Sequence, residues 1–97
     1  MNYKIVFLKP ASQELEDSFS WYENRKPGLG VEFVQEIEHY LEAIEQNPFL
    51  FQSYNDKIDL RRIPLVRFPF HIIYWIAEQD KIVYVDAVFH TKRKPKF

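Results

Sequence analysis

The sequence contains no cysteine, which excludes a disulfide framework and a thiolate metal site. No run approaches the ~20 apolar residues that a membrane-spanning helix needs. The opening stretch MNYKIVFLK also lacks the long apolar core of a signal peptide. We therefore expect a soluble, cytoplasmic protein with no membrane partner.

Glycine is scarce too, since Gly28 and Gly30 are the only two in the chain. Both lie between two predicted helices and are preceded by Pro27, which is typical of a tight reversal. A phosphate-binding glycine loop would follow a strand and carry a P-loop lysine. The sequence meets neither condition, so the glycines predict a turn.

The sequence is rich in hydrophobic and aromatic residues, which form protein cores. Of the 97 residues, 46% are hydrophobic and 18% aromatic, well above the range of disordered chains. A chain of this length hides about 60–65% of its unfolded surface, which suits one two-layer core. We expect one domain over residues 1–97.

The net charge of −1 conceals a segregation of charge along the chain. Residues 12–46 carry nine acidic and two basic side chains, whereas residues 47–97 carry nine basic and five acidic ones. The molecule should therefore be dipolar, with a basic end that could meet phosphate or an acidic partner. The alternative is that the acidic residues only solvate helix surfaces.

Two long strands are predicted near the C-terminus, over Arg67–Ile76 and Lys81–Phe89, joined by a polar turn at 78–81. A two-residue loop at Gln79-Asp80 would place Ile76 opposite Val83 and Ile72 opposite Ala87. This register separates a charge-free face from a mixed one. The charge-free face holds Phe68, Phe70, Ile72, Tyr74, Ile76, Val83, Val85, Ala87 and Phe89. The mixed face holds Arg67, His71, Ile73, Trp75, Tyr84, Asp86, Val88 and His90.

The remaining elements should cover the charge-free face. We predict a strand over Asn2–Leu8, helices over residues 10–25 and 31–46, and a strand over Lys57–Ile63. The order is β-α-α-β-β-β, which predicts an α+β fold with a helical hairpin packed on one face of a mainly antiparallel sheet. Phe70 and Ile72 are expected to lie under that hairpin.

The mixed face would hold the candidate functional residues. Arg61, Arg67, His71, Asp86 and His90 are assigned to it, followed by Thr91, Lys92, Arg93 and Lys94, and Arg62 is a further basic candidate. Guanidinium groups bind phosphate, histidine moves protons near neutral pH, and Trp75 and Tyr84 offer rings on which bases could stack. The set could form an RNA-cleaving or nucleic-acid-binding site.

Structural interpretations of the same residues stay open. His71 could be a buried structural histidine, Asp86 could form only an ion pair, and Trp75 with Tyr84 could be a cross-strand aromatic pair. Arg61 and Arg62 could bind acidic groups of the chain itself. The three histidines show no ligand spacing, so we expect neither a metal nor a cofactor.

Short motifs along nearly the whole chain also indicate a family. They are the opening strand with Pro10-Ala11, Trp21-Tyr22-Glu23, Gly28-Leu29-Gly30 with Phe33, Asn47-Pro48, Leu60-Arg61-Arg62, Phe68-Pro69-Phe70 with Ile73-Tyr74, and Val88-Phe89-His90 followed by Lys92-Arg93 and Pro95. In this order and spacing the chain resembles the RelE/ParE superfamily of toxins from bacterial type II toxin–antitoxin modules. The resemblance implies a toxin neutralised by a cognate antitoxin, which alone would contact operator DNA.

Two targets follow from the resemblance. RelE-like members cut messenger RNA on the ribosome, which would assign Arg61 and Arg67 to the phosphate and His90 to proton transfer. ParE-like members poison DNA gyrase, and Thr91, His71 and the Phe68-Pro69-Phe70 segment are closer to that branch. Arg62, His71, Lys92, Arg93 and Lys94 would then bind the target. A binding module that keeps the fold without toxicity is the third interpretation.

Overall fold

The computed structural model describes residues 2–53 and 59–92. Its elements are β1 (Lys4–Phe7), α1 (Lys9–Arg25), α2 (Leu29–Gln46), β2 (Leu60–Pro64), β3 (Phe70–Ala77) and β4 (Ile82–His90). The predicted β-α-α-β-β-β order and α+β class are confirmed. β3 begins three residues later than predicted, after Pro69, which has no backbone N–H to donate to the ladder. The predicted strand residues Lys57 and Ile58 lie outside the described residues.

The four strands form one sheet in the order β1-β4-β3-β2. β1 runs parallel to β4, with Lys4 opposite Ile82, and the two other pairings are antiparallel. The first and last strands of the chain are therefore neighbours, and the sheet is mainly antiparallel as predicted. No helix in the described part of the chain is long and apolar enough to cross a membrane.

The reversal between the helices is organised by Glu23. Its carboxylate accepts the backbone N–H of Gly28 at 2.8 Å and of Gly30 at 2.9 Å, at the N-terminus of α2. A negative charge is favourable there because the first amides of a helix have no intrahelical acceptor. The amides that a phosphate loop would offer are thus engaged by the chain's own carboxylate.

The core lies between the helical hairpin and one face of the sheet. Phe70 contacts Phe33 of α2 with ring centroids 4.8 Å apart, and Tyr22 of α1 lies 6.2 Å from the Phe70 ring. Phe70 is 2% exposed and Ile72 is fully buried. The prediction that Phe70 and Ile72 lie under the helices is confirmed.

A β-bulge changes the register of the β3–β4 hairpin. Near the turn Ile76 pairs with Val83 as predicted, but Ile72 pairs with Val88, so the predicted Ile72–Ala87 pair is wrong. The shift falls between the Ile73 and Tyr74 positions, where Asp86 is the extra residue of β4. One extra residue reverses the side to which every later side chain of β4 points.

Candidate functional site

The predicted site residues do not share one face of the sheet. His90 lies on the helix-covered side, Arg61 lies beside the buried Tyr74, and Arg67 lies in the loop before β3. Of the predicted set, Arg62 and His71 belong to the side of the sheet opposite the helices. The predicted shared face is therefore wrong. The bulge in β4 reverses the side of His90, Arg67 precedes β3, and the β2–β3 register places Arg61 opposite Tyr74.

His90 is paired with Phe70, and direct partners in a sheet point to the same side. Their rings meet edge to face, with centroids 5.0 Å apart. The Lys92 backbone N–H donates to Nδ1 of His90 at 3.1 Å. A neutral His90 ring therefore carries its proton on Nε2.

A cavity of about 330 Å³ opens beside His90, between α1 and the ends of β3 and β4; we call it the α1 pocket. Its lining residues are Glu14, Asp17, Ser18, Trp21, Tyr22, Phe70 and His90. Among residues 2–53 and 59–92, the charged side chains that line it are the two carboxylates. These two carboxylates repel an anionic phosphate at His90.

Arg61 is held by the chain itself. Its guanidinium donates to the Phe51 carbonyl oxygen at 2.6 Å and to the Asp59 carboxylate at 3.2 Å, and it lies over the Phe49 ring. Tyr74, its partner across the ladder, donates its hydroxyl to the Pro48 carbonyl oxygen at 2.7 Å, and burial raises the pKa of Tyr74 to about 12. The alternative in which Arg61 binds the chain's own acidic group is confirmed.

Arg67 connects the loop before β3 to α2. Its guanidinium forms an ion pair with Glu32, and its backbone N–H donates to the Glu36 carboxylate at 3.2 Å. The Arg67 hydrogen bond, and then its charge, holds the pKa of the Glu32 carboxyl below its ordinary value. Arg67 therefore binds α2 and does not belong to the sheet face to which it was assigned.

The side of the sheet opposite the helices carries the aromatic pair. Trp75 and Tyr84 are direct cross-strand partners, stacked with centroids 4.6 Å apart and planes 24° apart. This confirms the cross-strand interpretation and leaves a stacked aromatic surface beside Arg62 and His71 on the same side. Lys92 is exposed after β4, and the predicted Arg93 and Lys94 lie outside the described residues.

His71 is partly buried between neighbouring strands. Its ring meets Phe89 edge to face at 5.5 Å, and its buried Nδ1 has no hydrogen-bond partner among residues 2–53 and 59–92. Burial, and then the nearby Arg62 charge, lowers the pKa of His71 below its ordinary value. The folded state therefore disfavours the protonated ring.

This shift predicts a pH-dependent stability. The unfolded chain binds a proton at His71 more readily than the folded one, so stability is complete above about pH 6.5 and falls as the pH drops below it. Thermal unfolding of the wild type at about pH 7.5 and about pH 5.5 should show the loss, and His71→Gln should show a smaller one. The exposed His39→Gln is the matched control. An equal loss in His71→Gln and the wild type would contradict the prediction.

The carboxylates and Trp21 of the α1 pocket were not predicted as site residues. Their signal is spacing, because Glu14, Asp17 and Trp21 recur at i, i+3 and i+7 and so share one helical face. The sequence shows that they are neighbours on α1. It does not show that Phe70 and His90 would close the other side of the cavity.

Comparison with known proteins gives a family and a fold. The family model described as the ParE toxin of the type II toxin–antitoxin system parDE matches residues 5–95. A search of curated proteins finds no match. Among solved structures, the chromosomal ParDE system of P. aeruginosa is similar with a TM-score of 0.75 and 15% identity, covering 93% of this chain and 97% of that one.

A second solved structure is the intact RelBE toxin–antitoxin complex of E. coli. It is similar with a TM-score of 0.71 and 20% identity, covering 94% of this chain and 99% of that one. At these identities the likeness to both structures concerns the fold. The family model adds the sequence pattern over nearly the whole chain.

Proposed function

Because this chain belongs to the ParE toxin family of type II toxin–antitoxin systems, we propose that it arrests growth by inhibiting DNA gyrase and is neutralised by a cognate antitoxin. The family model supports a toxin of this class. The gyrase target is our own inference. It rests on one observation, the separation of the groups that a ribonuclease would need to bring together.

That separation disfavours RNA cleavage. Metal-free cleavage needs a proton-transfer group within hydrogen-bonding reach of the reacting oxygen and cations on the same phosphate. Here His90 lies in a pocket lined by two carboxylates, while Arg61 and Arg67 are engaged elsewhere by Asp59 and Glu32. An interface that inhibits an enzyme has no such requirement, since its binding energy comes from anchors and basic contacts.

One observation favours the alternative, a ribosome-dependent messenger-RNA endoribonuclease. The stacked Trp75–Tyr84 pair lies on the same side of the sheet as Arg62 and His71. Aromatic rings beside basic groups suit single-stranded RNA. This surface could bind RNA, but it lacks the His90 group that was assigned to proton transfer.

A cognate antitoxin is the proposed partner because the similar solved structures include toxin–antitoxin complexes. Binding should raise the thermal stability of the toxin and weaken with salt, since the molecule has strongly charged regions. The product of the neighbouring gene is the protein to test. Failure to bind at micromolar concentration would count against the pairing.

The target is tested by expressing variants alone and with that antitoxin. Under the gyrase proposal, His90→Gln stays toxic, whereas replacing Lys92, Arg93 and Lys94 together by Gln weakens toxicity. Under the nuclease alternative, His90→Gln lowers the rate of cleavage by about 10²–10⁴-fold and toxicity is lost with it. DNA supercoiling and transcript cleavage are read in the same cells.

The matched control for the basic triple variant replaces three exposed lysines elsewhere, Lys4, Lys9 and Lys26, by Gln. Both variants remove three positive charges, so a difference in toxicity between them reports a contact made by Lys92, Arg93 or Lys94 and not the change in net charge. Cleavage of messenger RNA on ribosomes that His90→Gln abolishes would overturn the gyrase proposal. Absence of any growth arrest would favour the non-toxic binding module.

A further inference from the structure

Val66 is an apolar residue that the fold holds at the surface. Among the large hydrophobic residues that the structure describes, Val66 is the most exposed, at 83%, followed by Leu50 at 55%. A single exposed apolar side chain on a mobile loop is common in soluble proteins and needs no explanation. The loop before β3 is different, because the chain fixes its backbone at Val66 and on both sides of it.

The backbone of this loop is held by α2 and by the core. The Val66 N–H donates to Oε2 of Glu36 at 3.0 Å, and the Arg67 N–H donates to the same oxygen at 3.2 Å. Leu65 before Val66 and Phe68 after it are both buried in the core. The Val66 side chain therefore has a defined position, although most of its surface is in contact with solvent.

A valine held in this way can be buried by a partner at a low entropic cost. Branching at Cβ leaves the valine side chain one torsion, which is already restricted. A loop that is rigid before binding also loses little conformational freedom when it binds. Val66 is thus suited to fill an apolar pocket on the surface of a partner.

The location of Val66 relates it to a residue of the proposed target-binding set. Thr91 donates its N–H to the Pro69 carbonyl oxygen at 2.7 Å and its hydroxyl to the same oxygen at 3.1 Å. Val66 precedes Pro69 by three residues and the exposed Lys92 follows Thr91, so chain geometry keeps Val66 and Lys92 within about 20 Å of each other. One side of a standard protein interface, about 800 Å², is about 30 Å across. Val66 and Lys92 can therefore contact the same partner.

The charges around Val66 favour a protein surface over a nucleic acid as that partner. Glu32 and Glu36 of α2 lie against the loop, and the exposed Arg67 guanidinium is paired with Glu32. Carboxylates repel a phosphate backbone, which proteins bind through unpaired lysine and arginine side chains. An apolar centre with a polar rim is the composition of a protein–protein interface.

We propose that Val66 is an apolar anchor of the interface with the target, and that it fills an apolar pocket of DNA gyrase. The inference rests on the proposed function, which supplies the target. Glu36 is a positioning residue in this interface, because it acts through the backbone of the loop that carries Val66.

The test measures inhibition of gyrase supercoiling by purified toxin variants. Val66→Asp places a charge at the anchor and should raise the toxin concentration for half-inhibition by about tenfold or more. The matched control, Leu50→Asp, adds the same charge at another exposed apolar residue and should raise that concentration less than about twofold. Because both side chains are exposed, the midpoint of thermal unfolding should change little in either variant.

Glu36 gives a second arm of the test. Glu36→Ala removes the acceptor of both loop amides and should weaken inhibition although Val66 is unchanged. Glu36→Gln keeps a side-chain oxygen that can accept both N–H groups, so it should retain most of the inhibition. Thermal unfolding shows whether each variant is folded. Equal inhibition by the two Glu36 variants, both folded, would overturn the positioning role.

The outcomes separate this inference from the proposed function. Wild-type toxin that does not inhibit gyrase at micromolar concentration contradicts the proposed function, and the anchor with it. Wild-type toxin that inhibits gyrase, with Val66→Asp and Leu50→Asp equally affected, overturns the anchor and leaves the proposed function standing. Loss of antitoxin binding by Val66→Asp, with inhibition of gyrase unchanged, assigns Val66 to the antitoxin and also overturns the inference.

Discussion

Phe70→Ala should lower the free energy of unfolding by about 3–5 kcal/mol, enough to threaten folding of a small domain. Phe70 is 2% exposed and packs against both helices through Tyr22 and Phe33. Its removal leaves a cavity that the rigid strand beneath cannot fill. Urea unfolding of the purified variant measures the loss as a lower midpoint.

The matched control for this variant is Phe49→Ala. Phe49 is 44% exposed in the loop after α2, so its truncation removes the same phenyl ring from a much more solvent-exposed position. We expect a cost below about 1.5 kcal/mol. Comparable losses in both variants would mean that the aromatic cluster around Phe70 does not dominate the core.

Gly30→Ala should be destabilising by about 1–3 kcal/mol because there is no room for the new methyl group. A Cβ at Gly30 would lie 2.6 Å from the Phe19 carbonyl oxygen and 2.9 Å from Glu23 Oε1. The first neighbour is backbone, so relief requires α1 and α2 to separate. The second is the carboxylate that caps α2, so the same methyl group also disturbs the cap.

Gly28 gives the contrasting experiment. A Cβ there meets nothing within 4 Å, but the backbone has a φ of +91°, which L residues rarely adopt. Asparagine tolerates left-handed backbone better than alanine does. Gly28→Asn should therefore be milder than Gly28→Ala, whereas Gly30→Asn should be at least as damaging as Gly30→Ala. If Asn and Ala differ in the same way at both positions, the assignment of backbone conformation at Gly28 and lack of space at Gly30 is refuted.

Most of the fold could be predicted from the sequence because its signals are local. Helical spacing of apolar residues predicted α1 and α2, and alternation of side chains between the two faces predicted the β3–β4 hairpin near its turn. The bulge at Asp86 has no such signal. Ala87 and Val88 are both small and apolar, so either assignment places an apolar residue on each face of the sheet, and the pattern cannot distinguish them.

The candidate site could be predicted less well because its geometry depends on distant partners. The location of His90 follows from one extra residue four positions earlier in β4. Arg67 is drawn to Glu32 on α2, and Arg61 to the Phe51 carbonyl oxygen in the loop after α2. Residue type alone identified candidate anion-binding groups, and only the structure shows that Arg61 and Arg67 bind carboxylates of the chain itself.

The parallel pairing of β1 with β4 has a consequence for folding during synthesis. β1 is made well before its ladder partner, Ile82–Val85, which lies more than 70 residues later in the sequence. At about 5–20 residues per second, the ribosome leaves β1 without its partner for several seconds. Contacts so distant in sequence also slow folding. The sheet of the nascent chain therefore stays incomplete until β4 has been made.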